Sequence, residues 1–199
     1  MKKYLINIFS LMLPILLNAQ IINLEEKDGT RIENAYYKDV NNFFDQFEGT
    51  YSYTNGTTEL TMVFKKITNW YNSGYYQDLL AGEVKFVKDG VLKFDNLSRI
   101  NQNLAHKYEH HIIGNSIIQP SELPVCSDCL ANQKRARLIF FGRENNFGGT
   151  IFLQKLPSQM GQPEKIKIFI LYSTNWSIEG QIEPQLPLIS FGEYILVKQ

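Results

Sequence analysis

Cysteine is scarce, with two among 199 residues, and histidine nearly so, with three. Two thiols exclude a multi-bridge disulfide scaffold, and a structural zinc site would need two further ligands. Charge of one sign is missing too: 20 Lys and Arg stand against 20 Asp and Glu, dispersed rather than blocked. That balance gives no footing for nucleic acid or for an anionic membrane surface. Beyond residue 20 no apolar run is long enough to cross a bilayer as a helix. Gly-x-Ser-x-Gly, His-Glu-x-x-His, Gly-x-Gly-x-x-Gly and P-loop spacings are absent, so the usual enzyme signatures are missing and a non-enzymatic protein is expected. Strands do not alternate with helices, and no repeat, low-complexity run or linker divides the chain.

The first twenty residues, MKKYLINIFSLMLPILLNAQ, read as an export signal. Lys2 and Lys3 form a positive start, Tyr4 to Leu17 an apolar stretch broken by Asn7, Ser10 and Pro14, and Ala19 a suitable residue before a cleavage point. The apolar stretch is short for a membrane anchor, and no cysteine lies near the cleavage point to accept a lipid. Residues 1–19 are therefore expected to be a signal peptide and 20–199 a single domain, secreted or periplasmic and without a membrane span. With Lys2 and Lys3 set aside, 18 basic residues face 20 acidic ones.

What the chain has is aromatic residues: 13% of it is Phe, Tyr or Trp, a composition that favours strands. The clearest stretch is Phe47 to Phe64, FEGTYSYTNGTTELTMVF. Asn55-Gly56 suits a two-residue type I′ turn, which needs positive φ at both positions. A turn there sets Thr54 opposite Thr57, Tyr51 opposite Leu60, Gly49 opposite Met62 and Phe47 opposite Phe64. Phe47, Gly49, Tyr51, Tyr53, Thr58, Leu60, Met62 and Phe64 then share one face; the other is polar apart from Val63.

Around this hairpin the chain reads as further strands. Asp39 to Gln46 carries Val40, Phe43 and Phe44 at helical spacing and predicts a short helix or 3₁₀ turn plugging one end of a core. Thr68 to Asp78 reads as a loop holding Trp70, Tyr71, Tyr75 and Tyr76 around Ser73-Gly74. Lys88-Asp89-Gly90 suits a three-residue loop that pairs Phe86 with Leu92 and Val84 with Phe94. Strands are expected over 108–119, with a bulge at Gly114, then over 137–142, 150–156, 165–172 and 188–198, with a turn between Pro184 and Pro187. Nine or ten strands joined mostly by hairpins predict an all-β fold, an antiparallel meander closing as a barrel of about eight to ten strands. A two-sheet β-sandwich is the alternative.

Phe47-Glu48-Gly49-Thr50-Tyr51, following a short aromatic helix, resembles the opening of calycin-type barrels such as lipocalins, with Tyr51 where those proteins usually carry Trp. A longer resemblance runs through FEGTYSYTNGTTELTMVFKK, DLLAGEVKFVKDG, the PVCSDC loop and the terminal GEYILVKQ. These blocks are similar to a family of small secreted Gram-negative bacterial proteins of unknown function. That resemblance implies export and a common fold and carries no mechanism.

Four groups of side chains could carry chemistry. Cys126 and Cys129, in Cys-Ser-Asp-Cys, are spaced to meet across a tight turn as a disulfide. Zinc, redox chemistry and free thiols are the other readings. A redox pair would need a lowered thiolate pKa, which Asp128 opposes. His106, Tyr108 and His110 would share a face of a strand, with Glu109 turned away and His111 beside them, and satisfied or solvated histidines are the plain reading. Glu59, Asp78, Glu83 and Asp95 are scattered carboxylates with no evident pairing. Trp70, Tyr71, Tyr75 and Tyr76 are expected either to line a barrel mouth or to fold back over the core. Together these point to a binding protein for a small apolar or sugar-like ligand, using those four aromatics with Tyr51, Tyr53 and Met62 inside, and needing no metal or cofactor. The alternative is a packed structural or protein-interaction module of the cell envelope.

Overall fold

The computed structural model describes residues 20–27, 29–142, 147–158, 160–172 and 189–199; the expected signal peptide and the turn at Pro184 and Pro187 lie outside these. In chain order the strands are β1 (Ile21–Asn23), β2 (Tyr36–Lys38), β3 (Gly49–Asn55), β4 (Thr58–Asn72), β5 (Tyr75–Lys88), β6 (Val91–Asp95), β7 (Ile112–Ile118), β8 (Arg135–Gly142), β9 (Phe147–Lys155), β10 (Lys165–Tyr172) and β11 (Gly192–Lys198). Eight of them, in the order β5-β4-β3-β11-β10-β9-β8-β7, form one antiparallel sheet that closes where β7 pairs with β5. The fold is thus an all-β closed barrel. Among the described residues the helical elements are 3₁₀ turns, so of the two forms expected for the N-terminal plug the 3₁₀ turn is found, at Phe43–Phe47, and there is no α-helix. No helix among them is long and apolar enough to cross a membrane.

Closure removes the free edges that an open sheet would expose. The long strand β5 makes it possible by serving three neighbours along one edge: β2 at Tyr76 and Gln77, β7 at Leu80 to Gly82, and β6 at Lys85 to Lys88. Near-continuous burial along β5 explains why Asp78-Leu79-Leu80-Ala81-Gly82-Glu83-Val84 lacks a clean alternation.

Inward positions on every barrel strand carry bulky residues: Tyr51, Leu60, Met62, Phe64, Leu80, Val84, Ile112, Leu138, Ile151, Leu153, Ile166, Ile168 and Leu196. An eight-stranded barrel is just wide enough for its side chains to fill it. Gly82 shows how tight the centre is: a Cβ there would sit 2.8 Å from the Phe64 ring and 3.2 Å from Ile112 Cβ. Phe44 and Phe47, both fully buried, stopper one end. Their 3₁₀ turn is held by Asp39, whose carboxylate accepts from the Phe43 and Phe44 amides at 2.8 and 2.9 Å. Lys66 lies 3.0 Å from Asp39 and 2.6 Å from Asp45, neutralising both.

Three local readings change. Asn55 pairs with Thr58, so Tyr51 faces Met62 and Gly49 faces Phe64. Gly56 has φ of +59° and Thr57 keeps the ordinary sign, the pattern of a type II′ turn on Gly56-Thr57. The partner shift is even, so the predicted faces survive. At the second hairpin, Asp89 and Gly90 both adopt positive φ and turn in two residues. A bulge then skips Lys93, setting Phe86 opposite Phe94 and Val87 opposite Leu92. Third, the aromatic segment is no loop: β4 and β5 run on to a tight turn at Ser73-Gly74, with positive φ at both residues.

Candidate functional site

The β4–β5 overhang separates the four aromatics by strand alternation. Trp70 and Tyr75 lie on one face with Asn72; Tyr71 and Tyr76 lie on the other. Tyr75 is buried against Tyr37, ring centroids 5.5 Å apart, and its hydroxyl accepts from Asn72. Trp70 packs edge-on against Tyr108 at 5.3 Å, and the outer of the four, Tyr71, stacks at a tilt on Tyr76. The four rings therefore enter three separate contacts, and only Tyr71 and Tyr76 meet each other. Tyr51 and Met62 are fully buried among the interior side chains, and Tyr53 is half-buried near the far end against Tyr194 at 5.1 Å. Burial pushes the Tyr51 hydroxyl up to about 12.

Outside the barrel wall a cleft of about 110 Å³ opens where the loop between β7 and β8 folds across β9, β10 and β11. The loop carries the Cys126–Cys129 disulfide, whose Cα atoms are 5.5 Å apart. Outward residues of neighbouring strands form the floor. Registers align Phe152 with Phe169 and Gln154 with Lys167, and the two Phe rings stand 6.1 Å apart at a 32° tilt. Arg135 anchors the covering loop by donating to the carbonyls of Glu122 and Pro124 at 3.0 and 2.7 Å, and its guanidinium lies 5.8 Å over Phe152. Across the cleft Lys167 donates to both oxygens of Asp128 at 2.6 Å and reaches Glu193 at 3.5 Å. Lys167 thereby holds the Asp128 carboxyl below the usual range. The site combines an apolar ring floor with a rim of both charges, an amide and a disulfide.

On the opposite wall a second cluster forms. Glu83, fully buried, points outward from β5, and its two oxygens accept from His110 Nδ1 at 2.7 Å and His111 Nδ1 at 2.5 Å. His111 Nε2 faces the Asn96 amide nitrogen at 3.2 Å. Arg99 Nε lies 3.9 Å from Glu83 and donates through its other nitrogen to the Glu109 carbonyl. Desolvation pushes the Glu83 carboxyl up, but the hydrogen bonds and the charge attraction of His110 and His111 together outweigh it and hold the group below the ordinary value. His106, by contrast, is exposed at the start of the 3₁₀ turn Lys107–Glu109, where its amide donates to Glu109. Among the described residues no group of three or more His, Cys, Asp or Glu is arranged to hold a metal ion.

The floor and rim residues Arg135, Phe152, Gln154, Lys167, Phe169 and Glu193 carried no sequence signal as a group. They come from four strands and read individually as ordinary outward positions. Only the PVCSDC loop marked the place. Glu83 was visible as a carboxylate, but its partners lie 27 and 28 residues away. No curated protein and no solved structure matches the chain. A family model does match, over residues 1–199, and the chain belongs to that family: DUF6705, a family of unknown function.

Proposed function

We propose that this protein is an exported, non-enzymatic binding module that holds a small apolar or sugar-like ligand in the outer cleft rather than in the barrel's interior. One observation carries the reading: the Phe152–Phe169 floor is ringed by Lys167, Asp128, Glu193, Gln154 and Arg135. An aromatic face suits the apolar side of a sugar ring, and fixed carboxylates, amide and ammonium suit its hydroxyls. At about 110 Å³ the cleft takes one ring-sized group and leaves the rest of a larger ligand in solvent. The Cys126–Cys129 disulfide and the export signal read in the sequence favour an oxidising compartment.

The test is saturation-transfer NMR with glucose, galactose, mannose and N-acetylglucosamine, each against the wild type and against Phe169→Ala. Transfer to one of them that disappears in the variant supports the cleft. Absence of transfer from all four to the wild type removes the sugar reading. The second reading, an envelope protein-interaction module, has its own support. Leu123, Val125 and Leu130 stand exposed on the disulfide loop beside the cleft.

A further inference from the structure

Residues 96 to 111 form a strap over the outer face of β5 and β7, and its buried ties converge on one carboxylate. Nearer the surface Asn101 bonds Lys65, and Tyr108 meets Asn72 and Trp70. The first strap residue, Asn96, reaches the last, His111. The middle of the strap contributes Arg99, facing Glu83 and bonded to the Glu109 carbonyl. Beneath it lies an apolar cluster separate from the barrel interior, made of Leu79, Ala81, Ile100 and Ile113. Val63, Ile67, Trp70 and Phe141 pack at its margin. Ile100 is the strap's own contribution; the rest belong to the wall.

We propose that this strap is an acid-operated clasp: proton uptake by the Glu83–His110–His111 cluster releases it and bares the apolar outer face of β5 and β7.

The hydrogen-bond roles supply the reason. A carboxylate only accepts, so both Nδ1 atoms donate to Glu83. The Asn96 amide nitrogen only donates, so its contact with His111 Nε2 is a hydrogen bond when that ring nitrogen carries no proton. A proton arriving on His111 Nε2 sets one N–H against another, and the tie between the strap's two ends then holds only if the Asn96 amide turns its oxygen inward. A proton arriving on Glu83 takes an acceptor from one imidazole. Either way the site gains a positive charge beside Arg99, with little water to screen it.

The surrounding charges do not remove that effect. Lys85 follows Glu83 on the same face of β5 and is the register partner of Asp95 on β6. Lys65 on β4 bonds Asn101, and His106 and Glu109 close the far end of the strap. The lowered Glu83 value fixes the sign. Its stabilisation is complete above the ordinary carboxylate range and is lost as pH falls through the folded value.

Hydrogen exchange on the full chain, corrected for intrinsic rate, tests the clasp. Opening of the 97–109 amides is expected to rise about tenfold per pH unit on acidification, for uptake of one proton. The β8, β9 and β10 amides should stay protected over the same range. Trp70 emission, read in a Trp176→Phe background, should shift red in the same window. His111→Gln keeps one donor and one acceptor but takes no proton, so its opening should move to lower pH. Simultaneous loss of strap and barrel protection in the wild type would overturn the proposal, and that measurement stands even if His111→Gln does not fold. Equal midpoints for variant and wild type would also overturn it. So would a zinc-induced rise in melting temperature reversed by EDTA, since the cluster would then hold a metal instead of protons.

Discussion

Gly82 is a residue on which the interior closes tightly. Its missing side chain is what lets the Phe64 ring and Ile112 meet the β5 backbone, with ideal Cβ distances of 2.8 and 3.2 Å. Gly82→Ala should therefore destabilise through overpacking by about 1–3 kcal/mol. Thermal denaturation checks this, and an unchanged or raised melting temperature would mean that the centre has spare room. Glycine is an ordinary letter in a strand pattern, and nothing in Leu79 to Val84 signals that one position cannot carry a methyl group. Glu83 was equally hidden. A charge alternating with Ala81 and Lys85 reads as a solvated outward residue, and it is buried only because a strap of irregular sequence crosses it. Faces were readable where a single strand decided them, as for Tyr51 and Met62. Environments made by a distant segment were not.

At the scale of elements, turn chemistry decided what could be read. Asn55-Gly56 and Lys88-Asp89-Gly90 announced two hairpins, and the strand faces followed from alternation. The register then depended on which residues took positive φ, Gly56 alone in one case and both Asp89 and Gly90 in the other. Ser73-Gly74 was masked by the polar residues around it, so the overhang read as a loop. That overhang makes a graded prediction. Tyr75→Ala removes a buried ring packed on Tyr37 and should cost about 3–5 kcal/mol, as for other buried aromatics. Tyr71→Ala removes an exposed one, 55% accessible, and should shift the melting temperature little. Equal losses in urea titrations would mean that the exposed ring is structural. The disulfide loop gives the reverse case. Cys126 and Cys129 close so short a loop that their bond contributes about 2 kcal/mol, and only locally. Arg135 and Lys167 still hold the loop through Glu122, Pro124 and Asp128. The double change to serine should leave barrel melting nearly unchanged while loosening the 119–134 amides to exchange, and a collapse of the whole fold would contradict that division.

Over the whole molecule the question is whether the barrel is a container or a core. Composition could not decide it, because an eight-stranded barrel can hold either a ligand or its own side chains. The inward residues favour a core: large aliphatic and aromatic groups on every barrel strand, two phenylalanines across one end, and a glycine where the rings crowd. A hollow barrel would gain stability from an apolar ligand in proportion to the logarithm of its concentration over Kd. This one should not, so palmitate and an anilinonaphthalene dye are expected to leave its melting temperature unchanged. Phe64→Ala should cost about 3–5 kcal/mol and open a dry space beside Gly82. Benzene should then restore part of the lost stability in the variant and none in the wild type, as apolar cavities accept apolar guests. If benzene or palmitate instead stabilises the wild type, the interior has room, and Tyr51 and Met62 return as ligand contacts. If neither does, the interior takes no apolar guest of this kind, and the cleft under the disulfide loop, with its apolar floor and polar partners, is the site to probe next.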